Sequence, residues 1–210
     1  MTKQSHFWDR VAHKYAKRKV TNEEAYQKKL QQTRDYLNAD AAMLELACGT
    51  GTTAIHLAPY VRHIRAVDIS LNMLEIAREK AKTAGVDNIS FDCRDFDEMA
   101  VENQTYDVIL AHNILHLLEE KAVAIHRIFK MLKPGGVFIS STACLGQGFL
   151  WLKVIVGVGS FFGFLPAVKF FRVDELKKDF TDAGFQIEEN WQPSKSQALF
   201  MIARKPNEVV

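Results

Sequence analysis

Two glycines at the end of an apolar run, Leu44-Glu45-Leu46-Ala47-Cys48-Gly49-Thr50-Gly51, are the residues of this chain best suited to meet a ligand. Glycine lets the backbone come within contact distance of a bound group and turns a strand sharply into a helix. Asp68 closes the next apolar run, where a carboxylate can accept hydrogen bonds from both ribose hydroxyls of a nucleoside. The pair therefore points to a ligand that carries a nucleoside. Gly49-Thr50-Gly51-Thr52-Thr53-Ala54 also fits the dinucleotide fingerprint, which keeps an NAD(P)-dependent oxidoreductase in view. Glu45, inside the strand end before Gly49, argues the other way: its carboxylate would repel a pyrophosphate but not a cationic ligand.

The elements around these residues alternate. Phe7, Val11 and Tyr15, with Trp8 and Ala12 beside them, make one apolar stripe on a helix over Ser5 to Lys17, and a second helix is expected from Asn22 to Leu37. Strands are expected over Ala42 to Ala47, Ile64 to Asp68, Ile89 to Cys93, Tyr106 to Ala111 and Val137 to Ser141. Helices fall between them, over Thr52 to Ala58, from the cap Ser70 to Gly85, and over Ala122 to Leu132, the last ended by Pro134-Gly135-Gly136. A helix over Val173 to Ala183 and two more strands, Phe185 to Trp191 and Gln197 to Ala203, complete the chain. Only a short stretch around Pro193 joins those two strands, too short for a crossover helix, so they must pair antiparallel. The pattern implies an α/β fold: a three-layer αβα sandwich on a mostly parallel seven-stranded sheet, with one antiparallel strand at the C-terminal end. Ligands of such sheets bind at the carboxyl ends of the strands, so the loops after the first four strands should hold the site.

The ordered set of Phe7-Trp8-Asp9-Arg10-Val11-Ala12-His13-Lys14-Tyr15, Leu44 to Gly51, Ala66-Val67-Asp68-Ile69-Ser70, Arg94-Asp95-Phe96, Tyr106-Asp107-Val108-Ile109 and Leu132-Lys133-Pro134-Gly135-Gly136 resembles the class I S-adenosylmethionine-dependent methyltransferases. The likeness runs from about Phe7 onward and is nearest to small bacterial quinone-biosynthesis methyltransferases. It implies a Rossmann-like fold, S-adenosylmethionine as cofactor, and methyl transfer to a small acceptor. It further implies that Ala47, Cys48, Gly49 and Gly51 lie along the methionyl part of the cofactor, that Glu45 holds the loop or the amino group, and that Asp68 binds the ribose. Asp95 would face the adenine amino group with Phe96 beside it, and Ile69 and Met73 would pack on the ring, although Met73 suits the core as well. His112 would line the transfer site or serve as a general base, and His116, four residues on, is a second candidate base. Tyr15 is a candidate cap over cofactor or substrate. A base is not obligatory, because in-line positioning can carry much of the rate. A protein that binds the cofactor without catalysis is the further alternative.

Gly146 to Phe171 should choose the acceptor. Val154 to Val168 has no charge, yet it is shorter than a membrane span and is broken by Gly157, Gly159, Gly163 and Pro166. It reads as a lid over the acceptor or as a patch in peripheral contact with a membrane, with a dimer interface as the plain alternative. Phe149, Trp151, Phe161, Phe162, Phe164 and Leu165 favour a hydrophobic or aromatic acceptor.

The composition suits one domain over residues 1–210, with residues 1–38 as a helical cap and 144–172 as the hydrophobic insert. A net charge of +2, from 27 Lys and Arg against 25 Asp and Glu, gives no field of the kind a nucleic-acid binder carries. No N-P-P-Y-like turn follows the fourth strand, as base methylation would require. Cys48, Cys93 and Cys144 are too scattered for a zinc site or a disulfide framework, and the His and carboxylate spacing offers no metal site, so metal-independent chemistry is expected. No apolar leader follows Met1, and with these cysteines the reading is cytoplasmic.

Overall fold

The computed structural model describes residues 2–146, 160, 165–194 and 197–207, and it divides into two compact units: residues up to 99 with 106–110, and residues 100–105 with those from 111 onward. In chain order the elements are α1 (Lys3–Ala16), α2 (Glu23–Arg34), β1 (Ala42–Leu46), α3 (Thr52–Leu57), β2 (His63–Asp68), α4 (Leu71–Thr83), β3 (Ile89–Cys93), β4 (Tyr106–His112), α5 (Lys121–Met131), β5 (Leu132–Thr142), α6 (Val173–Asp182), β6 (Gln186–Trp191) and β7 (Leu199–Arg204). The strands form one seven-stranded sheet in the order β3-β2-β1-β4-β5-β7-β6. This is the mostly parallel α/β sheet expected, with one reversed strand, β7, which lies between β5 and β6 rather than at the edge.

In the first unit β1, β2 and β3 pair in parallel, with Leu46 opposite Val67 and Asp68 opposite Cys93. Leu44, Leu46, Ile64 and Ala66 are fully buried, as expected of strands covered on both faces. The helices start where side chains can take their free N–H groups. Thr2 accepts from Ser5, Asn22 from Ala25, and Ser70 from Met73. Apolar spacing then buries Leu74, Ala77 and Ala81 of α4.

The second unit packs around Phe138 of β5, whose ring stacks on Phe180 at 4.9 Å, with Phe185 against both. Fully burying a Phe contributes about 1.5 to 3 kcal/mol, so this trio is a main source of the unit's stability. The helix ends just ahead of Pro134-Gly135-Gly136 as expected, but these three residues are strand and not a break, so β5 starts at Leu132 and not at Val137. The helix stops at Met131 and passes directly into β5, which contains the three residues. Pairing explains this: Gly135 N–H donates to the Lys205 carbonyl, Lys205 N–H donates to that of Gly136, and the Arg204 guanidinium donates to the Gly135 carbonyl at 2.8 Å. The buried Lys205 ammonium in turn donates to the carbonyls of Phe129 and Leu132, groups that the end of α5 leaves open.

Gly51 heads α3 at φ +71°, and a Cβ there would lie 2.8 Å from Cβ of Ala77 and 3.3 Å from the Phe91 ring. Left-handed strain and overpacking add, so Gly51→Ala is expected to cost about 2 to 4 kcal/mol in urea unfolding. Gly85→Ala, at φ +67° with nothing within 4 Å, should cost only about 1 kcal/mol. Equal losses would contradict the packing account.

Candidate active site

The carboxyl end of β1 is held in an uncommon backbone shape. Ala47, Gly49 and Gly51 all have positive φ, at 52°, 54° and 71°, so the chain turns alternately between left-handed and ordinary conformations. For alanine this costs on the order of 1 kcal/mol, a strain that persists only where surroundings enforce it. The enforcement is visible: Cys48 N–H donates to the Val67 carbonyl at 2.9 Å, Gly51 N–H to the Cys48 carbonyl at 3.0 Å, and Gly49 N–H to Oδ2 of Asp68 at 2.8 Å. The other oxygen of Asp68 accepts from Ser70 N–H at 2.9 Å. Asp68 thus fixes the turn after β1 and the turn after β2 at once. Burial raises its carboxyl above the usual range, opposed by these N–H donors, and the nearby Asp9 carboxylate raises it further.

Glu45 is buried beneath the same loop. Desolvation first and the Asp68 charge second raise its carboxyl from 4.5 to about 8, against one hydrogen bond from the Ala54 backbone, and its Oε2 has no partner. A buried carboxyl oxygen without a partner costs free energy unless something else meets it. Gly49 is open in the complementary sense, since the nearest atom to a Cβ there would be Cε1 of Tyr15 at 4.0 Å. Tyr15, 41% exposed, therefore covers the loop with its ring, which meets Trp8 edge-on. Burial and then Asp68 raise its hydroxyl's pKa, so it stays protonated.

The other expected residues are less uniform. Cys48 is buried, and desolvation, Glu45 and Asp68 raise its thiol well above the usual range, so it stays a protonated thiol. Met73 and Phe96 are buried at 2% and 3% exposure, so the core claims most of both side chains. Ile69 is half-buried, and Asp95 is half-buried with Oδ1 accepting from Asp97 N–H at 3.1 Å. The contacts of two residues were not legible in the sequence. Lys80 donates to the hydroxyls of Thr50 and Thr52 at 3.0 and 3.2 Å, strapping the loop to α4, and Asp9 binds the first turn of α4. The helical stripe of α1 gave no signal for Asp9, which is not part of it.

In the second unit His112 ends β4 with its ring edge-on to Phe200 at 6.3 Å. Asn113 follows at φ +58° and donates its N–H to the Ser141 carbonyl at 2.7 Å. His116 is half-buried; desolvation lowers its imidazole from 6.5 to about 4, and its Nδ1 has no partner. Its carbonyl accepts from Lys169 N–H at 2.8 Å, and Gly146 N–H donates to the Phe171 carbonyl at the same distance. Both ends of the hydrophobic insert are thereby fastened, with His116 at its base. Residues 147–159 and 161–164, including Phe149, Trp151, Phe161, Phe162 and Phe164, lie outside the described residues, and Leu165 is 38% exposed. Among the described residues no helix is long and apolar enough to cross a membrane, and no three His, Cys, Asp or Glu residues are grouped as metal ligands.

A methyltransferase-domain family model matches residues 37–201, which contain the glycine turn, Asp68, His112 and His116. The chain belongs to that family. The resemblance seen in the sequence is thus confirmed, and the nicotinamide reading of the glycine motif is set aside. The chain is 30% identical over 156 residues to malonyl-acyl-carrier-protein O-methyltransferase of Priestia megaterium, covering 70% of this chain and 55% of that protein. It is 35% identical over 102 residues to demethylmenaquinone methyltransferase of Leptospira interrogans, covering 47% of this chain and 41% of that one. The chain thus spans about half the length of these relatives. In structure it is similar to an S-adenosylmethionine-dependent methyltransferase from Mesorhizobium loti, with a TM-score of 0.69 at 19% identity over 86% of this chain and 97% of that one.

Glu45 provides a direct check on this geometry. Its carboxyl is raised in the folded state, so the native protein holds a proton that the unfolded chain releases, and its contribution to stability is lost as pH rises from about 4.5 through about 8. Glu45→Gln should therefore melt well above wild type at about pH 9 and close to it at about pH 5. Parallel melting curves would contradict a buried protonated carboxyl.

Proposed function

We propose that this chain is an S-adenosylmethionine-dependent methyltransferase acting on a small hydrophobic or aromatic acceptor. The observation that carries the reading is Asp68 at the end of β2, shared between Gly49 and Ser70 and flanked by the unpartnered Oε2 of Glu45. These residues fit the cofactor: the Asp68 carboxylate, which takes three backbone N–H donors, keeps acceptor capacity for a ribose hydroxyl, the protonated Glu45 suits an ammonium or its hydration, and Gly49 leaves room for the methionyl chain. Ala47, Cys48 and the backbone of Gly51 wall that chain. Ile69, backed by the buried Met73, bounds the adenine, with Asp95 facing its amino group and Phe96 behind. His112 lines the transfer site. Residues 1–210 act as one functional domain.

The cofactor supplies a methyl group already activated on a sulfonium, so no metal is needed. The protein's part is alignment and exclusion of water. Tyr15 covers the loop and stays neutral, which keeps bulk water off Gly49 without adding charge beside a cation. His116 is neutral at physiological pH and has a free Nδ1, so it can accept a hydrogen bond or a proton from an acceptor hydroxyl. The apolar residues of the 146–171 segment suit contact with a hydrophobic acceptor, the role of a lid; contact with a membrane surface is the second use of the same residues. The relatives named for quinone and acyl-carrier-protein acceptors support an acceptor with an apolar portion.

The test is transfer of a labelled methyl group to a panel of hydroxylated aromatics, quinols and small polar acceptors. Product is expected with the first two, and product with highly polar acceptors alone would overturn the reading. His116→Ala should lower kcat by about 100-fold or more with cofactor affinity unchanged. Because the His116 pKa is about 4, the rate should show no inflection near pH 6.5. An inflection there, abolished by the substitution, would contradict the assignment.

A further inference from the structure

We propose that Asp9 is a latch that holds α1 closed over the cofactor loop and so sets how long the cofactor stays bound. The proposal rests on the cofactor reading above. Asp9 makes three hydrogen bonds to the first turn of α4: Oδ1 accepts from the Ser70 hydroxyl at 2.6 Å and from Asn72 N–H at 3.1 Å, while its carbonyl accepts from the Asn72 side-chain amide at 3.1 Å. The Asn72 N–H is one of the donors that a helix start leaves open, and a carboxylate placed there is favoured by the helix dipole. Ser70 already caps the Met73 N–H, so α4 has two caps, its own and one borrowed from α1.

Ser70 connects this contact to the site. Its hydroxyl donates to Asp9 and its N–H donates to Asp68, whose other oxygen holds Gly49. Further along the same helix Tyr15 lies over Gly49. The only residues of α1 that are fully buried are the small Ser5 and Ala12, while Phe7, Trp8 and Tyr15 keep accessible surface. A helix anchored so lightly by its apolar face depends on its polar contacts to stay docked. Asp9 also brings a second negative charge near Asp68, an unfavourable placement that the three hydrogen bonds offset. Asp9 is thus a positioning residue acting through Tyr15 and Ser70.

Dissociation of S-adenosylhomocysteine, followed by stopped flow on the full chain, tests this. Asp9→Ala should raise the dissociation rate about tenfold or more with little change in the association rate. Asp9→Asn should stay within about threefold of wild type, since its amide oxygen can still accept from Ser70 and Asn72. Tyr15→Ala should raise the rate as well, and combining it with Asp9→Ala should add little, because both changes remove the same cover. A rate within about twofold of wild type for Asp9→Ala, or full additivity with Tyr15→Ala, would overturn the latch. Failure of wild type to bind would instead sink the cofactor reading. In that case faster trypsin cleavage at Lys17-Arg18-Lys19 in unliganded Asp9→Ala supports the latch as a helix clasp, and unchanged cleavage refutes it.

Discussion

One carboxylate organises the first unit. Asp68 accepts an N–H from Gly49 with one oxygen and from Ser70 with the other, so the ends of two neighbouring parallel strands are fixed by a single side chain. Everything near the site hangs on that link. The alternating left-handed backbone from Ala47 to Gly51 needs an anchor, α4 starts at Ser70, and α1 reaches Ser70 through Asp9. Asp68 is buried, and a buried carboxylate is stable only with such donors around it.

The same economy has costs that are informative. Glu45, Asp68 and Asp9 bring three carboxyl groups near one loop, and the pair that is buried is driven toward protonation. A purely structural site would replace Glu45 with an amide or an apolar residue. Together with the left-handed Ala47, it marks a place where the fold gives up stability, as sites that meet a ligand often do. The second unit shows the same trade in another form, in the desolvated His116 whose Nδ1 meets no partner at the base of the insert.

Much of this was readable in the residues themselves. The parallel strands announced themselves as apolar runs, the cap Ser70 marked a helix start, and the short Pro193 stretch required the antiparallel pair. Glycine was less legible, because its type does not say whether the missing Cβ makes room for a ligand or for the protein. Gly49 is open, whereas Gly51 is filled by Ala77. The early start of β5 was hidden for a related reason, since pairing with residues some 70 positions away, seen at Arg204 and Lys205, makes strand of the Pro134-Gly135-Gly136 stretch that follows the helix end. The contacts of Lys80 and Asp9 were invisible, although Asp9 stands in the motif from Phe7 to Tyr15: their partners, Thr50, Thr52, Ser70 and Asn72, are distant in sequence and found only by folding.

The central claim is that a single Asp68 carboxylate both shapes the glycine turn and holds the cofactor's ribose. Asp68→Asn isolates it, because the amide keeps size and one acceptor but turns an NH2 toward one of the two N–H donors. Calorimetric titration with S-adenosylhomocysteine should show clear binding by wild type and a loss of about 1 to 3 kcal/mol, roughly fivefold to 150-fold in affinity, for Asp68→Asn. Equal binding by the two proteins, or none by wild type, would contradict the account.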